Sequence, residues 1–151
     1  MKESWKNCRK EEVMIDSMKT QLMEQAIHMT KQSYAPYSHF HVGAALLGDN
    51  GKIYTGCNIE NASYSATVCA ERTAVFKAVS EGVTSFTAIA IAGGMNGVIT
   101  DYCAPCGICR QVLREFCKPD FPIILVKSPE EYKVYTLEQL LPESFGPEML
   151  S

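Results

Sequence analysis

Phe40-His41-Val42-Gly43-Ala44-Ala45-Leu46-Leu47, Gly48-Asp49-Asn50-Gly51 and Lys52-Ile53-Tyr54-Thr55-Gly56-Cys57 together form the stretch on which the fold turns. Two short apolar or β-branched runs flank four turn-forming residues, which is the pattern of an antiparallel hairpin. Upstream, Ile15, Met18, Leu22, Ala26 and Met29 recur at intervals of three and four. That spacing predicts a helix with one buried face, ended by Ala35-Pro36 because a residue before proline disfavours the helical conformation. Downstream, helical spacing from Cys69 to Val79 stops at Gly82, and a buried strand from Phe86 to Ala92 is closed by Gly93-Gly94. A second helix runs from about Cys106 to Cys117, followed by a buried strand at Pro122 to Val126, an edge strand at Tyr132 to Tyr135 and a short helix at Leu137 to Leu141. A hairpin followed by alternating helices and strands predicts an α/β fold, a central sheet covered by helices on both faces.

A chain of 151 residues has room for one hydrophobic core. We expect one domain over residues 14–151, preceded by a polar tail at 1–13 whose residues show no apolar period. Apolar residues make up 46% of the chain and charged residues 21%, which sets it among ordinary globular proteins. The longest apolar stretches, Val42–Leu47 and Phe86–Ala92, are too short to span a membrane, and the start lacks the apolar core of a signal peptide. A cytoplasmic protein without a membrane partner is expected. The net charge of -3, with Lys6, Arg9 and Lys10 answered at once by Glu11 and Glu12, speaks against a nucleic-acid partner, which calls for a basic stripe.

Seven cysteines without a secretory signal suggest thiols or metal ligands rather than a disulfide framework. Two segments stand out, Thr67 to Ala74 with Cys69, Glu71 and Arg72, and Ala104 to Gln111 with Cys106 and Cys109. Each lies where a loop runs into a helix, and the free N–H groups and positive dipole end found there favour thiolate. Cys106 and Cys109 share one helical turn and can reach one ion, with Cys69 as a third ligand brought in by the fold. Three ligands leave a tetrahedral zinc one open position for water, and Glu71 is then placed to move protons. Other readings remain at this point. The Cys-x-x-Cys pair could serve redox chemistry, and a closed structural zinc site could recruit Cys57, Cys103, Cys117, His39 or His41 as fourth ligand. An iron–sulfur run fits poorly because Cys117 comes too late after Cys109. His28 falls on the first helix, and His39 and His41 flank Phe40 on one side of a strand.

Cys69-Ala70-Glu71 followed by Pro105-Cys106-Gly107-Ile108-Cys109 resembles the zinc nucleoside and nucleobase deaminases, with cysteine in place of the histidine of their more common signature. Together with Tyr34–Ser38, Val42–Leu47 and Gly56–Ala62, these segments are similar to the homotetrameric cytidine deaminases over about Met14 to Phe145. The resemblance implies a three-layer α/β/α sandwich with a central mixed sheet. It also implies a Zn2+ cofactor on Cys69, Cys106 and Cys109, with Glu71 as proton shuttle. The activity implied is deamination of free cytidine and deoxycytidine by a zinc-bound hydroxide, in pyrimidine salvage. Asn58 and Glu60 match positions that hydrogen-bond the ribose, Phe40 an aromatic against the pyrimidine, and Ala70 a residue whose backbone binds the base. Phe145 resembles an aromatic that reaches into a neighbouring subunit's site within the tetramer. Arg72, a cation in the first turn of its helix, needs an anionic partner, and the metal thiolates are the nearest candidates. The main rival within the family is a deaminase of a modified nucleoside such as blasticidin S.

Overall fold

The structure is a computed structural model that describes the backbone of residues 3–151 and side chains from Asp16 onward. Its elements are α1 (Glu3–Met29), β1 (Phe40–Gly48), β2 (Ile53–Cys57), α2 (Ala70–Ser80), β3 (Phe86–Met95), α3 (Gly107–Phe116), β4 (Pro122–Ser128), β5 (Glu131–Thr136) and α4 (Leu137–Leu140). One five-stranded sheet has the order β2-β1-β3-β4-β5. β1 runs antiparallel to β2 and β3, β4 parallel to β3, and β5 antiparallel to β4. This is the mixed sheet of a three-layer α/β/α sandwich, as the resemblance implies and consistent with the element order.

Alternation along the strands assigns the two faces. Ala45, Ala88, Ala90 and Ala92 point to α1, where Leu22, Met23 and Ala26 are buried against them. Ala44, Leu46, Ile89, Ile91, Ile123 and Leu125 point the other way, onto Ala74, Val75 and Ala78 of α2 and Leu113 of α3. Two glycines set how closely the layers approach. A Cβ on Gly43 would lie 2.1 Å from the Ala26 carbonyl oxygen of α1, and one on Gly56 would lie 2.3 Å from the Ala70 carbonyl oxygen of α2. Any side chain at Gly56 would therefore push away the first turn of α2, which carries Glu71 and Arg72.

Several boundaries differ from the sequence reading. The backbone of α1 begins at Glu3 rather than near Ile15. Met1, Lys2 and the side chains of Lys6 to Glu12, which fall in the expected tail, lie outside the described residues. The same helix ends at Met29 in a short 3-10 turn over Thr30–Gln32, ahead of Ala35-Pro36. The Thr30 hydroxyl donates to the Ile27 carbonyl oxygen at 2.7 Å, a side-chain bond that competes with helix continuation. β3 does not close at Gly93-Gly94 but continues to Met95, paired with β1 as far as Phe40. The glycines are needed for space, since a Cβ on Gly94 would meet the Val98 carbonyl oxygen at 1.9 Å. His39 precedes β1 at φ 56°, so it shares no strand face with His41. Among the described residues, no helix is long and apolar enough to cross a membrane.

Candidate active site

Both cysteine segments end where a helix of the same layer begins. Cys69 is the N-cap of α2 and Cys106 the N-cap of α3, with Cys109 in the first turn of α3. Because α2 and α3 pack side by side on one face of the sheet, their N-terminal ends bring the three sulfurs together. All three lie within 4.8 Å of one another, and Cys69 Sγ is 3.7 Å from Cys106 Sγ. A tetrahedral zinc with metal–sulfur bonds of about 2.3 Å holds its sulfurs about 3.8 Å apart. Spacing and donor type both fit this ion.

Cys57, Cys103, Cys117, His39 and His41 do not join the cluster, so among the described residues the set stops at three ligands. The closed four-ligand reading loses its candidates. Cys103 instead packs against the backbone of Gly93, and burial pushes its thiol up to about 12. Burial likewise raises the Cys117 thiol to about 12.

The charges around the sulfurs are uneven. A hydrogen bond from Cys109 is the main influence pulling the Cys69 thiol down to about 5, burial opposes it, and the Arg72 guanidinium and Cys106 assist. The same hydrogen bond, with burial, pushes Cys109 up. Arg72 Nη2 donates to Cys69 Sγ at 3.4 Å and to the Thr67 carbonyl oxygen at 3.4 Å. Its buried Nε has no acceptor among the described residues. A guanidinium so placed suits a site carrying more negative charge than the bare side chains provide. Thr73 ties this corner to the sheet, its hydroxyl donating to the carbonyl oxygens of Cys57 at 3.0 Å and Cys69 at 3.2 Å.

Glu71 follows Cys69 by two residues and is only 3% exposed. Burial raises its carboxyl to about 7, the negative charge of Cys69 adds to the rise, and Arg72 pulls it back. Both protonation states are then within reach near neutrality, as proton transfer in either direction requires.

Asn58 and Glu60 sit beyond the end of β2, on the loop leading back toward α2. The Asn58 side chain is a buried strut: its Oδ1 accepts from Val42 N at 2.9 Å and from the Ser33 hydroxyl, and its Nδ2 donates to the Phe40 carbonyl oxygen at 2.7 Å. One N–H of the amide remains. Glu60 Oε1 accepts the backbone N–H groups of Tyr37 at 2.9 Å and Ser38 at 3.0 Å, and Oε2 accepts the Ser38 hydroxyl. These bonds, that of the Ser38 hydroxyl first, hold the Glu60 carboxyl below its ordinary value. Phe40 opens β1 half-buried, its backbone N–H donating to Ser38 Oγ at 3.0 Å. Ala70 is fully buried as the first residue of α2. Phe145 is 58% exposed, and its carbonyl oxygen accepts from Gln111 Nε2 of α3 at 3.0 Å. The backbone of residue 145 is thus tied to the ligand-bearing helix. The parts Ser33 and Ser38 play in fixing Asn58 and Glu60 could not be read from the sequence, because small hydroxyl residues in a loop carry no pattern of their own.

The sequence matches the family profile described as the cytidine and deoxycytidylate deaminase zinc-binding region over residues 16–125. The chain belongs to this family. It is 48% identical over 130 residues to a cytidine deaminase of Sporosarcina psychrophila, covering 86% of this chain and 93% of that one. A cytidine deaminase of Halalkalibacterium halodurans is 44% identical, with 84% of this chain and 93% of the relative covered. The crystal structure of the cytidine deaminase from Burkholderia pseudomallei superposes with a TM-score of 0.75 at 43% identity, over 83% of this chain and 97% of that one. The chain is accordingly an enzyme, a zinc-dependent cytidine deaminase of the hydrolase class, and Zn2+ is its cofactor.

Proposed function

We propose that this deaminase acts on free cytidine and deoxycytidine, through Zn2+ on Cys69, Cys106 and Cys109 and proton transfer by Glu71. The observation that carries this reading is a buried, readily protonated Glu71 beside three converging thiols, with no fourth ligand among the described residues. The ion, when bound, supplies a Lewis acid that lowers the pKa of water toward about 7, so that hydroxide is available near neutrality. The Glu71 carboxylate accepts the proton released from the attacking water and delivers it to ring nitrogen 3 of the pyrimidine. The carboxylate, free again, takes the remaining proton from the oxygen added at carbon 4 as that oxygen becomes the carbonyl, and passes it to the exocyclic amine as the bond from carbon 4 to nitrogen breaks. One water is consumed, and uridine or deoxyuridine leaves with ammonia.

Around this step, Phe40 packs against the pyrimidine and the backbone of Ala70 holds the base. The remaining Asn58 N–H and the free lone pairs of Glu60 meet the sugar hydroxyls. A carboxylate accepts about four hydrogen bonds, which leaves Glu60 capacity beyond the three it receives. Residues 14–151 form the catalytic domain, which works in the cytoplasm in pyrimidine salvage. Ammonia release from cytidine, deoxycytidine, cytosine, cytidine monophosphate, blasticidin S and a single-stranded oligonucleotide tests the substrate. Turnover of the first two is expected; release confined to blasticidin S or the oligonucleotide would overturn the assignment.

Arg72 offsets the charge of the centre, since three thiolates on a +2 ion leave a net charge of -1. Arg72→Gln should lower turnover or zinc affinity about 10- to 100-fold with the fold retained, as changes to groups that hold metal ligands do. Steady-state kinetics and zinc competition check it, and unchanged values in both would return Arg72 to a structural role.

The enzyme is proposed to be a homotetramer in which Phe145 of one subunit enters the site of another. Its exposure on the isolated chain supports this role. Phe145→Ala should cost about 1–3 kcal/mol of nucleoside affinity, the worth of an aromatic stacked on a base. Sizing at low micromolar protein, with KM measured alongside, tests both parts. A monomer of full activity is the contrary result.

A further inference from the structure

Of the three sulfurs, that of Cys106 is the least constrained by packing. Cys109 is fully buried and Cys69 is half-buried and bonded by Arg72, whereas Cys106 is exposed. As the N-cap of α3, Cys106 makes no capping bond with its side chain. The position of its sulfur therefore depends on the backbone that enters the helix. That backbone is held by one side chain. Arg110 Nε donates to the Pro105 carbonyl oxygen at 2.7 Å, and Arg110 Nη1 donates to the Leu140 carbonyl oxygen at 2.5 Å.

Neither carbonyl has a ready substitute partner. Pro105 is buried just outside the first turn of α3, and the helix bond from the Arg110 backbone N–H goes to Cys106 instead, at 3.0 Å. Leu140 ends α4, where terminal carbonyls have no N–H donor from within the helix, and Pro142 soon after lacks an N–H. A planar guanidinium can serve both oxygens at once with directed N–H groups, and its charge suits the C-terminal end of a helix. A lysine presents a single ammonium and cannot reproduce that fork.

We propose that Arg110 is a positioning residue for the metal: by clamping the Pro105 carbonyl to the end of α4, it holds Cys106 in place as a ligand. This rests on the reading that the three cysteines hold zinc. Neighbouring side chains of α3 provide a control, because Arg114 reaches the same C-terminal segment without touching the ligand loop. Arg114 Nε donates to Ser144 Oγ at 2.9 Å, and its Nη2 pairs with Glu148.

The test is the rate of zinc release from the loaded enzyme to excess chelator, followed with a zinc indicator, for the parent, Arg110→Met, Arg110→Lys and Arg114→Gln. Release should be about 10- to 100-fold faster for Arg110→Met, as expected when the support of a ligand is removed. It should be intermediate for Arg110→Lys and within twofold of the parent for Arg114→Gln. Thermal unfolding of the metal-free proteins should be alike for the parent and Arg110→Lys, which separates metal positioning from general stability. If Arg110→Met does not fold, Arg110→Lys carries the comparison. Release at the parent's rate from the Arg110 variants, or equal acceleration in Arg114→Gln, overturns the proposal. Undiminished zinc content in Cys106→Ala would instead overturn the ligand assignment beneath it.

Discussion

Glu71→Gln should keep its zinc and lose at least about a hundredfold in turnover, approaching the 10²–10⁴-fold range of a general acid/base. The amide has nearly the shape of the carboxyl, and burial already favours a neutral group at this position, as the raised carboxyl shows. The exchange should therefore leave the fold and the three sulfurs undisturbed. An amide cannot accept the proton of the attacking water or pass it to the ring nitrogen, so the loss should fall on kcat, with KM for cytidine changed far less. Zinc content by metal analysis and initial rates on the same sample check the prediction. Parent-like turnover in zinc-loaded protein would remove Glu71 from proton transfer and leave it a buried structural acid.

The part of this site that could be read from the sequence is the part encoded at short range. Cys106 and Cys109 lie three residues apart, and Glu71 lies two from Cys69, so their joint placement needs only a loop that turns into a helix. The approach of Cys69 to the other pair depends on α2 and α3 lying side by side on one face of the sheet, which the element order alone does not fix. The hairpin was legible because it is encoded at short range, whereas the order β2-β1-β3-β4-β5, which sets β3 beside β1, rests on pairings between distant strands that local patterning does not fix. What stayed hidden depends on partners distant along the chain. Arg110 finds the Leu140 carbonyl thirty residues away, and Asn58 is fixed by Ser33 and Phe40. Such bonds join side chains to backbone atoms, which every residue possesses, so no residue pattern announces them. Gly93 and Gly94 misled for a related reason. Glycine often ends strands, yet here it admits Cys103 and the Val98 carbonyl against a strand that continues.

Cys109→Ala should abolish zinc binding and activity together. Two thiolates would remain where the ion requires three, and no other cysteine, histidine or carboxylate among the described residues is clustered with them to take the vacant place. Cys109 is fully buried, so the change also removes one core sulfur, at a cost on the order of 1 kcal/mol, the scale of a small buried deletion. Loss of packing alone could therefore mimic loss of a ligand, and Cys117→Ala separates the two. Cys117 is also a buried thiol close to α3, kept neutral by its surroundings and packed in the same core cluster as Leu113. Its truncation should cost similar stability while zinc content and turnover stay within about twofold of the parent, as for a core change away from the metal. Metal analysis, cytidine turnover and thermal unfolding on the two variants give the comparison. Zinc retained by Cys109→Ala would strike it from the ligand set, and zinc lost equally from both variants would mean that the metal follows the integrity of the core rather than this sulfur.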